Sequence, residues 1–299
     1  MADDVVPASE AAAVAAADAS SSSRSDALES RVAALVQQLK DDAVFAASLG
    51  SKELFHSNLL GWYLEHSPSL ADSLLTAWTG RSADGGVRVR REAKHLDLVI
   101  EDSQGQALLV VENKTFSLPD DRQLAGYGPV IGKLSGAPSA VLLSVAPPAW
   151  PGSRRLLGEH EWQYRSYEEL RLLLVPCVSD LAALDGGLLA GWTRLLGRLQ
   201  ELLDLVGQPG PHERVVLPVR VRELLRQVRL DGPVQKLRAQ TVASLVRQQL
   251  GDQPDADRVR VTANLTNGTG LVDGYRAYDA HTLIGWQRRI QAVGASRCF

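Results

Sequence analysis

His95-Leu96-Asp97-Leu98-Val99-Ile100 and Leu108-Leu109-Val110-Val111-Glu112-Asn113-Lys114 are the two stretches whose reading decides the fold. Both are apolar runs of strand length, rich in β-branched residues. Between them, Asp102-Ser103-Gln104-Gly105 has the composition of a turn, so strands at 95–101 and 107–114 read as a hairpin. An acid inside such a run is costly when buried and unpaired, so Asp97 needs a reason to stand there. Side chains two positions apart on a strand share a face, so Glu112 and Lys114 project together, and a hairpin can set Asp97 beside them.

Working outward, a third strand is expected at 87–91 and a fourth at 140–145, ended by Pro147-Pro148. A helix is expected at 120–131, with Asp120 and Asp121 favourably placed in its first turn. Upstream, Leu28, Val32, Leu35, Val36 and Leu39 recur at helical spacing and predict a helix from Asp26 to about residue 47. A second helix is expected at 52–65, ended by Ser67-Pro68. Downstream, 167–250 reads as mainly helical, broken at 207–211 and at Gly232-Pro233, and three short strands close the chain at 258–265, 270–275 and 281–286. The expected fold is α/β (α+β): a central mixed β-sheet flanked by helices, with a helical segment and a small C-terminal β region. Residues 1–24, mostly Ala, Ser, Asp and Val, offer little apolar surface to offset ordering entropy and are expected to be a disordered tail. A core is expected over 25–206, and an extension over 207–299 that the sequence alone does not separate from it.

Composition narrows the functional classes. The 299 residues are 45% hydrophobic and 22% charged, as in an ordinary globular protein, and the net charge of −3 excludes a polycation that coats nucleic acid. Two cysteines, Cys177 and Cys298, supply neither a disulfide framework nor a zinc knuckle. The acidic start Met1-Ala2-Asp3-Asp4 lacks the order of a signal peptide and no apolar run is long enough for a bilayer, so a cytoplasmic location is expected.

Two carboxylates and a lysine converging at the rim of a sheet suit phosphodiester hydrolysis. Carboxylate oxygens are hard ligands for Mg²⁺, and a lysine beside them can orient the attacking water or stabilise charge on the phosphate. The competing reading of the same three residues is a structural ion pair at a sheet edge.

The surrounding motifs resemble a bacterial branch of the PD-(D/E)-x-K nuclease superfamily. Glu53-Leu54-Phe55-His56-Ser57-Asn58-Leu59-Leu60-Gly61-Trp62-Tyr63-Leu64 is similar to its N-terminal helix, and Asp97 with Glu112-Asn113-Lys114 to its catalytic hairpin. Gln123 and Tyr127 match the Gln-x₃-Tyr of its next helix. The resemblance covers 53–145, with Ile284-Gly285-Trp286-Gln287 similar to its C-terminal region; the family is expected to run a little beyond Arg297-Cys298-Phe299. It implies a restriction-endonuclease-like core and a nuclease using Mg²⁺ or Mn²⁺ on nucleic acid, DNA ahead of RNA, in defence or repair, with a homodimer left open. The implied metal ligands are Asp97 and Glu112, joined at most by the backbone carbonyl of Asn113, with Lys114 as catalytic lysine and Gln123 as a further catalytic residue. Glu53 supports the metal through water or is a solvated helix charge. Tyr127 reaches the site or packs at a core edge. Glu92 supports the site or is the polar end of a strand, and His56 reads as a packing histidine more than a ligand. The alternative to an enzyme is a nuclease-fold binding or interaction module with little turnover, but an intact Asp97, Glu112 and Lys114 argue for catalysis.

Basic residues concentrate between Arg214 and Arg247: eight of them stand against Glu223 and Asp231. On a helix, Arg222, Arg226 and Arg229 would share one face and form a phosphate-contacting stripe, or a merely solvated one.

Overall fold

The structure is a computed structural model that describes residues 8–51, 53–83, 85–93, 95–115, 117, 121–148, 150, 152–207, 217–250, 259–266, 269–277 and 283–290, with side chains at those between 23 and 242 and at 245. A six-stranded mixed sheet has the order β1-β2-β3-β4-β6-β5. The strands are β1 (Arg88–Ala93), β2 (Leu96–Glu101), β3 (Ala107–Lys114), β4 (Ser139–Ser144), β5 (Arg154–Leu157) and β6 (His160–Ser166). The first three form an antiparallel meander, β4 and β6 run parallel to β3, and β5 closes the far edge antiparallel to β6. A separate three-stranded meander, β7 (Val259–Thr266), β8 (Thr269–Ala277) and β9 (Leu283–Ile290), follows near the C-terminus.

Alternation along β3 sorts its side chains to two cores. Leu109 and Val111 join a large cluster with the helices α1 (Ala8–Lys40), α2 (Ala43–Ser48), α3 (Glu53–His66), α4 (Pro68–Thr79), α7 (Tyr167–Leu174) and α8 (Ala183–Val206). Val110 faces a smaller cluster with Leu124 of α5 (Asp121–Gly126) and Ile131 of α6 (Gly128–Ile131). Because β3 is covered on both faces, its only polar residues lie at its last three positions, where the sheet edge opens. The mixed sheet flanked by helices is the architecture expected from the sequence.

Several elements differ from expectation for identifiable reasons. Residues 8–24 are helical, continuous with α1, in place of the expected tail: the alanine-rich composition that cannot build a core has high helix propensity. Helix α1 ends at Lys40, and Asp42 begins α2 by accepting from the backbone N–H groups of Val44 (2.9 Å) and Phe45 (3.2 Å). Ser67-Pro68 does end α3, but the same pair starts α4, which the sequence reading missed: Ser67 is its N-cap and Pro68 occupies its first turn. Strands β5 and β6 were also missed, since their polar sequences carry no apolar run.

Two features bring α3 to the sheet edge where the acids lie. At Gly61 a Cβ would stand 2.9 Å from Arg91 Nε and 3.2 Å from Val89 Cγ1, so only glycine permits this approach without repacking. Further in, Tyr63 donates to the carbonyl of Asp185 (2.8 Å) and Trp192 Nε1 donates to His56 Nδ1 (2.9 Å), which ties α3 to α8. Burial holds the His56 pKa down at about 3, so it is a neutral packing residue, as a core histidine should be. Among the described residues no helix is long and apolar enough to cross a membrane.

Asp42 combines a cap with an ion pair, its Oδ2 lying 2.6 Å from Arg198 Nη1 while its side chain is only 6% exposed. Asp42→Ala is expected to lower stability by about 2 kcal/mol, from a lost cap and an unpaired arginine. Urea titration checks this; a loss under about 0.5 kcal/mol, the range of ordinary surface changes, would refute the dual role.

Candidate active site

The site forms where β2 begins and β3 ends. The β2–β3 register pairs Leu98 with Val111, and its continuation sets Asp97 opposite Glu112. There the ladder stops, and the Asp97 carboxylate takes over a backbone partner: Oδ2 accepts from the N–H of Asn113 at 2.7 Å. One hydrogen bond thus fixes the first acid to the strand that carries the second.

Glu112 is 2% exposed. Its Oε1 is crowded with donors: Lys114 Nζ at 2.8 Å, Gln123 Nε2 at 3.1 Å and the Tyr127 hydroxyl at 3.3 Å. Gln123 also donates to the Tyr127 oxygen at 2.7 Å, so the two side chains, one turn apart, act as a unit. Helix α5 is positioned by its first residue, because Asp121 accepts from Trp150 Nε1 (2.8 Å) and pairs with Arg155 of β5 (3.0 Å). By contrast Glu112 Oε2 is buried with no hydrogen-bond partner among the described residues.

Electrostatics follow from this crowding. Burial, and then the charge of Asp97, push the Glu112 pKa up to about 7, against the pull of Lys114. Asp97 is raised as well, chiefly by burial, with its Asn113 hydrogen bond and Lys114 acting the other way. Tyr127 is pushed up to about 12 by burial and by Glu112, so its hydroxyl stays protonated and donates.

Asn113 turns to the opposite face. Its Nδ2 donates to Ser57 Oγ (2.9 Å) and to the carbonyl of Glu53 (3.3 Å), while Oδ1 accepts from the hydroxyls of Tyr167 and Thr115. Its side chain is therefore engaged, and only its backbone remains for any ligand. Sequence reading did not anticipate Ser57, Thr115 and Tyr167 as a network; the signal was a polar Asn inside an otherwise apolar strand, which needs buried partners.

The remaining candidates sort by geometry. Half-buried Glu53, in the first turn of α3, lines a pocket of about 340 Å³ with Asp97, Asn113 and Lys114, and its charge helps raise Asp97. Glu92 is exposed, with φ +49°, and its charge acts on Asp97 more weakly than that of Glu53. The expected three-arginine helix face is corrected. Helix α9 (Val219–Gln227) stops before Arg229, and Arg222 and Arg226 both pair with Asp231 at 3.1 Å, in the first turn of α10 (Asp231–Leu250). A larger groove of about 730 Å³ lies along α1, α7 and α8; it contains the Arg171–Glu168 pair and shares no residue with the acids.

Among the described residues no three His, Cys, Asp or Glu side chains gather as a ready metal cage. The donor set nevertheless suits a divalent cation: two facing carboxylates in a desolvated corner, with one buried oxygen unpartnered. The sign of the pH effect is fixed by the raised pKa. The folded chain holds its Glu112 proton up to about pH 7, whereas an unfolded chain releases it near 4.5, so ionisation in chelator destabilises the fold. Relative to Glu112→Gln, wild-type stability is expected to fall by up to about 3 kcal/mol as pH rises from 4.5 past 7. Denaturant titrations across that range check it, and parallel curves for the two proteins would contradict it.

Comparison with known proteins gives one match. Residues 41–184, somewhat under half of the chain, match a family model described as PD-(D/E)XK nuclease superfamily. No curated protein and no solved structure matches. The matched segment holds β1 to β6 of the mixed sheet and every acid of the site.

Proposed function

We propose that the protein is a divalent-metal-dependent nuclease that hydrolyses phosphodiester bonds, with Mg²⁺ or Mn²⁺ as cofactor and DNA as the favoured polymer. The observation that carries this reading is the Glu112 carboxylate. A buried acid with one oxygen held by three donors and the other left bare, facing a second acid, is an expensive arrangement that a bound cation would offset.

In this reading Asp97 and Glu112 hold the cation, with the Asn113 backbone as a further donor. A divalent ion bound there would supply positive charge to the phosphate and a lowered pKa for its water. The protein's own groups do the rest. Asn113 keeps Asp97 aimed, and Gln123 with Tyr127 hold Glu112 Oε1 so that Oε2 faces the ligand. Lys114, 13% exposed and held by Glu112, reaches the pocket, where its ammonium orients the attacking water and offsets charge building on the phosphate oxygens. Glu53 holds solvent at the lip of the same pocket.

Wild type is expected to cleave plasmid, single-stranded DNA or RNA with Mg²⁺ or Mn²⁺ and to be silent in chelator. Lys114→Ala should lose at least about a hundredfold in kcat without unfolding. Gln123→Ala, which removes one hydrogen bond to Glu112, should lose about tenfold. Gel assays with matched thermal melts check these outcomes. A well-folded wild type inert on all three polymers, or equal cleavage by wild type and Lys114→Ala, would sink the assignment.

A further inference from the structure

The pocket that holds Glu53, Asp97 and Lys114 is lined in part by residues of a different origin, Pro233 and, the one charged among them, Arg229. It lies outside the matched segment, at the junction of α9 and α10. The local geometry is that of a Schellman stop: the N–H of Leu230 bonds the carbonyl of Leu225 (2.9 Å) and the N–H of Arg229 bonds that of Arg226 (3.1 Å). The residue at Arg229's place in this motif takes left-handed backbone, and glycine is its usual occupant because any Cβ is strained there. Arg229 adopts φ +59°.

Its neighbours fix which way it faces. Val228 and Leu230 are 0% and 2% exposed and belong to the main core, whereas Arg229 is exposed at the pocket. The nearby acid is already taken, since Asp231 pairs with both Arg222 and Arg226. Among the described residues no carboxylate pairs with the Arg229 guanidinium. A strained position is thus filled by a long cation at the mouth of an acidic site, with no internal partner to account for it.

We infer that Arg229 binds a phosphate of the substrate next to the one that is cut. This rests on the nuclease reading above. A guanidinium offers a planar fork matched to phosphate oxygens, and the fixed backbone sets the point at the pocket from which this side chain reaches. The helical segment beyond the matched domain would then complete the substrate cleft, with one arginine in place of a stripe.

The test compares wild type with Arg229→Ala, Arg229→Gly and Arg229→Lys on the polymer that wild type cleaves, reading kcat, KM, melting temperature and salt dependence. Arg229→Ala and Arg229→Gly are expected to lose about ten- to a hundredfold in kcat/KM. Oligonucleotide binding in chelator should lose about one unit of log–log salt slope, and Arg229→Lys should recover part of both losses. Glycine relieves the backbone while alanine does not, so Arg229→Gly should melt about 2 °C above Arg229→Ala yet be equally impaired. Unchanged kcat/KM and salt slope in Arg229→Ala, beside a dead Lys114→Ala, would overturn this inference and leave the nuclease standing. Activity that tracks melting temperature across the variants would overturn it too, by making Arg229 a folding residue. A wild type that neither cleaves nor binds nucleic acid removes both.

Discussion

The bond from the Asn113 N–H to Asp97 is the constraint on which the site depends, because it joins the two acid-bearing strands where their ladder ends. Asn113 does this with its backbone while its side chain works on the other face, gripping Ser57 and the Glu53 carbonyl of α3 and accepting from Tyr167 at the start of α7. One residue therefore sets the position of Asp97, the height of Glu53 and the seat of two helices. Strand alternation makes this possible: Glu112 and Lys114 face α5 because Asn113 between them faces α3. Moving any of these positions by one residue would exchange the charged and the structural faces.

The α5 side is built differently. Gln123 and Tyr127 are neutral donors, so they orient Glu112 without cancelling the negative charge that a cation needs. Lys114 supplies the only cationic contact to Glu112 among the described residues, and burial still prevails over it in the Glu112 pKa. The protein's own groups thus leave the two acids electrostatically unbalanced, a common state for residues that act on charged ligands.

How much of this was legible in the sequence depended on the range of the signal. The hairpin was readable because apolar runs and the Asp102–Gly105 turn are local, and β3 was placed at 107–114, its observed extent. Asp97, Glu112 and Lys114 could be grouped because strand parity is a short-range rule. Helix α4 was lost because Ser-Pro both stops one helix and starts another, and only the chain's path decides between them. Strands β5 and β6 owe their existence to pairing, β6 with β4 and β5 with β6, rather than to their own residues, which include Arg154, Arg155, His160 and Glu161. The arginine stripe failed because helical spacing was carried two residues past the end of α9, and no glycine marked that stop: Arg229 stands where glycine would have been the signal.

The division of the chain near 207–218 has less physical content than the sequence suggests. Val221, Leu225, Val228, Leu230, Val234 and Leu237 belong to the same buried cluster as Leu98, Leu109 and Val111 of the sheet. Helix α8, most of it beyond the matched segment, reaches back through Trp192 to His56, within the same turn of α3 as Ser57 and one turn from Glu53. Packed interiors transmit displacement because they contain little free volume. The matched segment therefore carries the acids, but their precise spacing is set together with helices that lie after it in sequence. A truncation after residue 184 would expose the apolar faces of α1, α2 and α7 that α8 and α9 cover, so the matched segment and the helical segment share one core.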